Sequence, residues 1–167
     1  CLGIPVVDTP EDGTFTPRFE DIERAVTSST RSIIVNSPNN PSGAIYPPEL
    51  IEKIVKLCER KGIFMICDDI YQKLTFDHNV ASPAYLFTKK DVENSHIIVV
   101  NGVAKLYGMT GFRIGWVVAP RELVMVMTNV LAQTTSCVSP IAQAAAEGAL
   151  NGLQSVVEAL RLQIQNN

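Results

Sequence analysis

Long apolar runs are missing from this sequence. None approaches the roughly 18 to 20 residues that a bilayer-spanning helix needs, and no charged stretch leads into an apolar one near the beginning. An excess of positive charge is missing too: 14 Lys and Arg stand against 17 Asp and Glu, a formal net charge of −3. That balance excludes a nonspecific grip on nucleic acid or on an anionic membrane, and it favours a small ligand, neutral or steered by local charge. Cysteines are few and scattered. Cys1, Cys58, Cys67 and Cys137 form no C-x-x-C and keep no ligand spacing with histidine, so neither a zinc site nor a disulfide scaffold is indicated. A reducing, cytosolic compartment is the expectation. Repeats, low-complexity tracts and linkers are absent as well. What is present is 167 residues, 46% hydrophobic and 19% charged, the make-up of one globular domain able to bury a core.

Apolar stretches of strand length recur between helical patterns, at residues 5–7, 32–35, 63–67, 97–100 and 115–118. The alternation argues for an α/β domain, a mostly parallel sheet flanked by helices. Ile33-Ile34-Val35, Ile63-Phe64-Met65-Ile66 and Ile97-Ile98-Val99-Val100 are continuous rather than alternating, so these strands are expected mid-sheet with both faces covered. The strongest helical pattern spans 48–60, where Leu50, Ile51, Ile54, Val55, Leu57 and Cys58 recur at three- and four-residue intervals between Pro47-Pro48 and Gly62. Further helices are expected over 19–26, with Ile22, Ala25 and Val26 facing one way, and over 121–132, 141–150 and 154–164.

Three polar clusters fall just after apolar strands, where open α/β sheets place their ligands. They are Asn36-Ser37-Pro38-Asn39-Asn40-Pro41-Ser42-Gly43, Asp68-Asp69-Ile70-Tyr71 and Asn101-Gly102-Val103-Ala104-Lys105. Taken singly, each reads as a turn or as solvated charge. Together they set a carboxylate, a phenol, an amide and a lysine at neighbouring strand ends. Gly108-Met109-Thr110-Gly111-Phe112-Arg113-Ile114-Gly115 then adds a guanidinium, with a glycine spacing that is neither the dinucleotide G-x-G-x-x-G nor a P-loop. His78 and His96 lie apart without ligand spacing, and Trp116, Met125 and Met127 read as packing residues.

With these segments in this order, the chain resembles the central part of a fold-type I, pyridoxal-phosphate-dependent aminotransferase of class I/II. Residues 36–43 match the family's Asn-Pro-Thr/Ser-Gly turn, 68–71 its Asp-x-x-Tyr, and 105–115 its Lys-x-x-x-Met-Thr-Gly-x-Arg-x-Gly. The likeness covers nearly the whole chain, and three motifs in register make it specific. It implies that residues 1–167 are a single, partial cofactor-binding large domain of a longer parent, with pyridoxal 5'-phosphate as cofactor. Lys105 is implied as the lysine that forms the Schiff base and then shuttles a proton, work suited to an amine whose pKa a desolvated, cationic surrounding can lower. Asp68 is implied to pair with the pyridine nitrogen, keeping the ring an electron sink. Tyr71 and Asn40 are implied to donate to the phenolic oxygen, and Arg113 to grip the phosphate.

The sequence also departs from the family pattern. Gly102 and Ala104 stand where many relatives carry serine, which removes one hydroxyl from the expected phosphate site, and Asp69 stands where Glu is usual. The phosphate loop and ring-stacking aromatic of the family's N-terminal third, and the carboxylate-binding arginine of its C-terminal domain, are not in this chain. The chain opens at Cys1 without Met and stops at Asn167 in a helical pattern, which alone decides nothing; the resemblance implies a piece, inactive alone, of an enzyme that works as a homodimer. Amino acids and 2-oxo acids are the implied substrates, and residues 133–140 are similar to aspartate and aromatic aminotransferases. Other enzymes sharing the lysine and aspartate remain open: a C–S lyase, an amino-acid decarboxylase or a cyclopropane-carboxylate synthase. So does the cofactor-sensing domain of a transcriptional regulator, which a winged-helix module upstream would reveal. Retention of Lys105, Asp68, Tyr71, Asn40 and Arg113 argues against a degenerate relic.

Overall fold

In the computed structural model, which describes residues 12–167, the chain runs α1 (Phe19–Ala25), β1 (Ser32–Asn36), α2 (Pro48–Lys61), β2 (Phe64–Asp68), β3 (Ile97–Gly102), β4 (Gly115–Val118), α3 (Arg121–Thr134), α4 (Pro140–Asn151) and α5 (Ser155–Gln165). The strand expected at 5–7 lies outside the described residues. The four strands form one sheet in sequence order, β1, β2 and β3 parallel and β4 antiparallel to β3. The mostly parallel α/β reading therefore holds.

The core follows from α2. The six residues that its periodicity selects are the six that it buries: Leu50, Ile51, Ile54, Val55, Leu57 and Cys58. Proline opens the helix, Arg60 and Lys61 suit the negative end of its dipole, and left-handed Gly62 (φ 64°) closes it with its N–H on the Cys58 carbonyl. This stripe lies against Val35, Met65, Cys67 and Ile97 of the sheet, and Ile22 of α1 joins the same cluster. Only Ile22 of α1 is buried, and Ala25 faces solvent, so the expected apolar stripe of that helix is narrower than its sequence suggests.

Two expectations need correction. The continuous apolar strands imply cover on both faces, but among the described residues α1 and α2 supply it on one. Along the other face Ile34 is 71% exposed and Val100 38%, although Ile98 is buried. Among the described residues β1 is an edge strand, not a central one, because no strand pairs beyond it. Met125 is not a packing residue either: it is 58% exposed, and α3 buries none of its side chains because its apolar residues spread around the helix.

The one-sided core predicts unequal losses. Ile54→Ala is expected to lower the unfolding free energy by about 2–5 kcal/mol in urea denaturation, as fully buried large-to-small changes do. Ile34→Ala is expected to change it by no more than about 0.5 kcal/mol; similar losses at the two positions would contradict this packing.

Candidate active site

Strand register assembles the site. Asn36 stands opposite Asp68, and Asp68 opposite Val100, so β1 and β2 finish at one level and β3 runs two residues further, to Gly102. Asn36 ties two of these ends together, its amide donating to the Asp68 carbonyl at 3.0 Å while its Oδ1 accepts the Asn40 N–H at 3.0 Å. The turn beyond is held by Asn39, whose Oδ1 accepts the Ser42 hydroxyl at 2.8 Å. Polar residues after a strand signalled a turn; that Asn36 and Asn39 are its internal ties was not separable from composition.

The turn delivers Asn40 to Tyr71. The Asn40 Nδ2 donates to the Tyr71 hydroxyl at 3.0 Å, across 31 positions of sequence. Lys105 Nζ lies 5.9 Å from the centre of the Tyr71 ring, near enough for a cation–π attraction. Asp68 and Tyr71 are half-buried, whereas Asn40 and Lys105 are exposed. The Asp68 carboxylate touches the Ile70 N–H at 3.4 Å through Oδ1.

Arg113 reaches the same end of the sheet by the antiparallel pairing. Gly102 pairs with Gly115, so Lys105, three residues after one, and Arg113, two before the other, sit on the same connection. Arg113 takes the left-handed conformation (φ 53°), and its guanidinium turns back to the Thr110 carbonyl at 3.2 Å. The Thr110 hydroxyl in turn donates to the Ala104 carbonyl at 3.1 Å, beside Lys105. Among the described residues neither cation is in an ion pair.

Asp69 points elsewhere. It is buried, at 8% exposure, and helps line a cavity of about 80 Å³ with Gln72, Lys73, Asn101, Tyr107 and Trp116. Burial, and next the charge of Asp68, push its carboxyl up to about 6. Behind Asp68, burial pushes the Cys67 thiol up to about 12, so it stays neutral and adds no competing charge.

The family model for aminotransferases of class I and II matches residues 2–167. The chain belongs to this family. As a class I and II aminotransferase sequence, it is 37% identical over 152 residues to an aspartate/prephenate aminotransferase of Thermus thermophilus, covering 91% of this chain and 38% of that protein. It is also 37% identical to an asparagine–oxo-acid transaminase of Streptococcus mutans, over 95% of this chain and 40% of the relative. Among solved structures, an aspartate aminotransferase of Thermotoga maritima superposes with a TM-score of 0.84 at 29% identity, over 95% of this chain and 42% of that one. An aromatic aminotransferase of Pyrococcus horikoshii gives 0.85 at 29%, over 93% and 41%. The chain thus spans about 40% of the length of the curated relatives it matches.

Within this aminotransferase chain, Gly102 has a steric reason of its own. A Cβ there would meet the Ile114 carbonyl oxygen at 2.8 Å and the Gly115 Cα at 3.1 Å, both backbone atoms that cannot swing aside. A serine at this position therefore requires β3 and β4 to separate. Gly102 thus permits the close approach of β3 and β4, between which lies the connection that carries Lys105 and Arg113.

The raised pKa of Asp69 has a stability sign. Its folded value, about 6, lies above the reference 3.8, so the folded state binds the proton more tightly. That contribution is complete below about pH 4 and is lost as pH rises through about 6. Asp69→Asn, which stays neutral, is expected to have a flatter melting temperature from pH 4 to 7 and a higher one at pH 7 than the parent. An unchanged slope in thermal melts would contradict it.

Proposed function

We propose that this chain is the cofactor-binding part of a pyridoxal-phosphate-dependent enzyme that moves an amino group between an amino acid and a 2-oxo acid, with substrates of the aspartate or aromatic kind. The observation that carries the reading is the Asn40–Tyr71 hydrogen bond beside Lys105. Tyr71 accepts from Asn40, which leaves the phenolic proton and the second amide proton as two donors for one further oxygen. The rest of the donor set fits the same cofactor: a carboxylate for a ring nitrogen, an amine, and a guanidinium for a phosphate.

Pyridoxal phosphate supplies an aldehyde that condenses with amines and a ring that accepts electrons. This chain's residues do the rest. Lys105 would hold the cofactor through its amine and would serve as the base that takes and returns the proton at the substrate α-carbon. Asp68 holds a proton at the ring nitrogen. Tyr71 and Asn40 donate to the phenolic oxygen, and Arg113 offers paired N–H groups to the phosphate. The names of the relatives support the amino-acid and oxo-acid substrates. We further propose that the working enzyme is longer than this chain, with the substrate-carboxylate site and the ring-stacking aromatic in its other segments, and that it acts as a cytoplasmic homodimer.

Two measurements on the full-length protein test these assignments. Lys105→Ala is expected to abolish the visible absorption that develops with pyridoxal phosphate, and with it the transaminase activity; retention of both would remove Lys105 from the centre. Asp68→Ala is expected to lower kcat by about 100-fold or more, in the range of general acid–base losses. Asp69→Ala should stay within about tenfold of the parent, because its carboxyl lies in the side cavity. Equal losses would overturn the pairing of Asp68 with the ring nitrogen.

A further inference from the structure

Helix α5 meets the rest of the molecule with a mixed face, on which Val157, Leu160 and Arg161 are half-buried. None of its residues is buried; Val156 is 69% exposed, Leu162 45% and Ile164 43%. Its side-chain hydrogen bonds to the rest of the molecule come from Gln154, Arg161 and Gln165, which with Glu158 form a polar row. These residues are spaced by four, three and four positions, which puts them on one side of a helix.

Each end of this row holds a different part of the site. At the N-cap, the Gln154 Oε1 accepts the Tyr107 hydroxyl at 3.0 Å. The Gln154 Nε2 meanwhile donates to the carbonyls of Ala149, Leu150 and Gly152 at 3.2, 3.2 and 2.9 Å, closing the end of α4. Tyr107 is two residues beyond Lys105, and its own N–H is on the Val103 carbonyl at 3.3 Å, across the turn that carries the lysine. The junction itself admits only glycine at 152, where a Cβ would meet the Gly148 carbonyl oxygen at 2.7 Å.

Two turns further along α5, Glu158 holds the Arg161 guanidinium from two sides, accepting Nε at 2.9 Å and Nη2 at 2.7 Å. That fork aims Nη1 at the Thr75 carbonyl, 3.1 Å away, and at the Gln165 Oε1, 2.9 Å away. Gln165 then reaches the Asp77 carboxylate at 3.2 Å. Although it lies on a mostly exposed helix, the Arg161 side chain is only 20% exposed. Thr75 follows Leu74, whose N–H is on the Tyr71 carbonyl at 2.8 Å.

We propose that α5 is a polar strut that sets the distance between the Lys105 turn and the Tyr71 segment, with Gln154 and Arg161 as its two positioning residues. The two segments enter the site from different strands, β3 and β2. Beyond the sheet ends, the strut joins them through one rigid element. Neither residue touches the cofactor; each acts through Tyr107 or Thr75. The positioning role rests on the function proposed above, whereas the mechanical coupling does not.

The test is hydrogen exchange in the full-length protein without cofactor, followed by the pH midpoint of its visible absorption once pyridoxal phosphate is added. Arg161→Ala is expected to accelerate exchange about two- to tenfold at the amides of 71–75, the worth of one lost hydrogen bond. The strut requires a similar acceleration at 103–109, which Arg161 does not touch, no change in α2, a shifted absorption midpoint, and recovery of each by Arg161→Lys. Should Arg161→Ala fail to fold, Tyr107→Phe runs the test in reverse: removing one hydroxyl must accelerate exchange at Gln72 and Leu74. Acceleration confined to the segment touched by the changed residue overturns the strut, as does an unmoved midpoint. If the exchange couples but Lys105→Ala leaves the absorption intact, the mechanical coupling stands, and the proposed function fails together with the positioning role that rests on it. If Lys105→Ala abolishes the absorption and the exchange does not couple, only the strut fails.

Discussion

The site depends on one constraint, the in-register pairing of β1, β2 and β3. Because side chains alternate faces along a strand, a slip of one residue would turn Asp68 to the α2 side and bring Cys67 to the position of the acid. The register is held by the buried row Val35, Met65, Cys67 and Ile97 against α2, whose cluster contains five of the six largest fully buried side chains among the described residues. Hydrophobic burial several residues away from the chemistry thus decides which groups reach the strand ends. Asn36 adds a polar lock at those ends by bonding the Asp68 carbonyl and the Asn40 N–H together.

From these ends two connections complete the constellation. The 36–44 turn brings an amide back to Tyr71, and the connection from β3 to β4 carries both cations. Gly102 lets β3 and β4 approach closely where that connection begins and ends. Neighbouring acids divide by environment. Asp68 ends a strand at the open edge, while Asp69 turns into a lined cavity where burial raises its pKa. Adjacent in sequence, they face different surroundings.

Much of this was legible in the residues. The spacing in α2 names all six of its buried side chains, and the strands at 32–36, 64–68, 97–102 and 115–118 follow from apolar runs bounded by turn formers. Asn40, Asp68, Tyr71 and Lys105 lie in segments that each follow a strand, Arg113 lies in the segment after them, and the three family motifs in register singled these residues out. Cover on both faces was not legible, because an apolar strand records a need for cover without saying which chain segment meets it; Ile34 is the result. Nor could Gln154 and Arg161 be seen as contacts to the site. A polar row on a helix looks like a solvated face until the loops that it touches are placed, and those loops lie 47 and 86 positions away in sequence.

The central claim is that these strand ends hold pyridoxal phosphate on one particular lysine among several. The direct measurement is borohydride reduction of the full-length protein in the presence of pyridoxal phosphate, followed by peptide mapping by mass spectrometry. The account predicts a single stoichiometric pyridoxyl label on Lys105. Label on Lys73, or spread over the surface lysines with Lys105 unmodified, would contradict it.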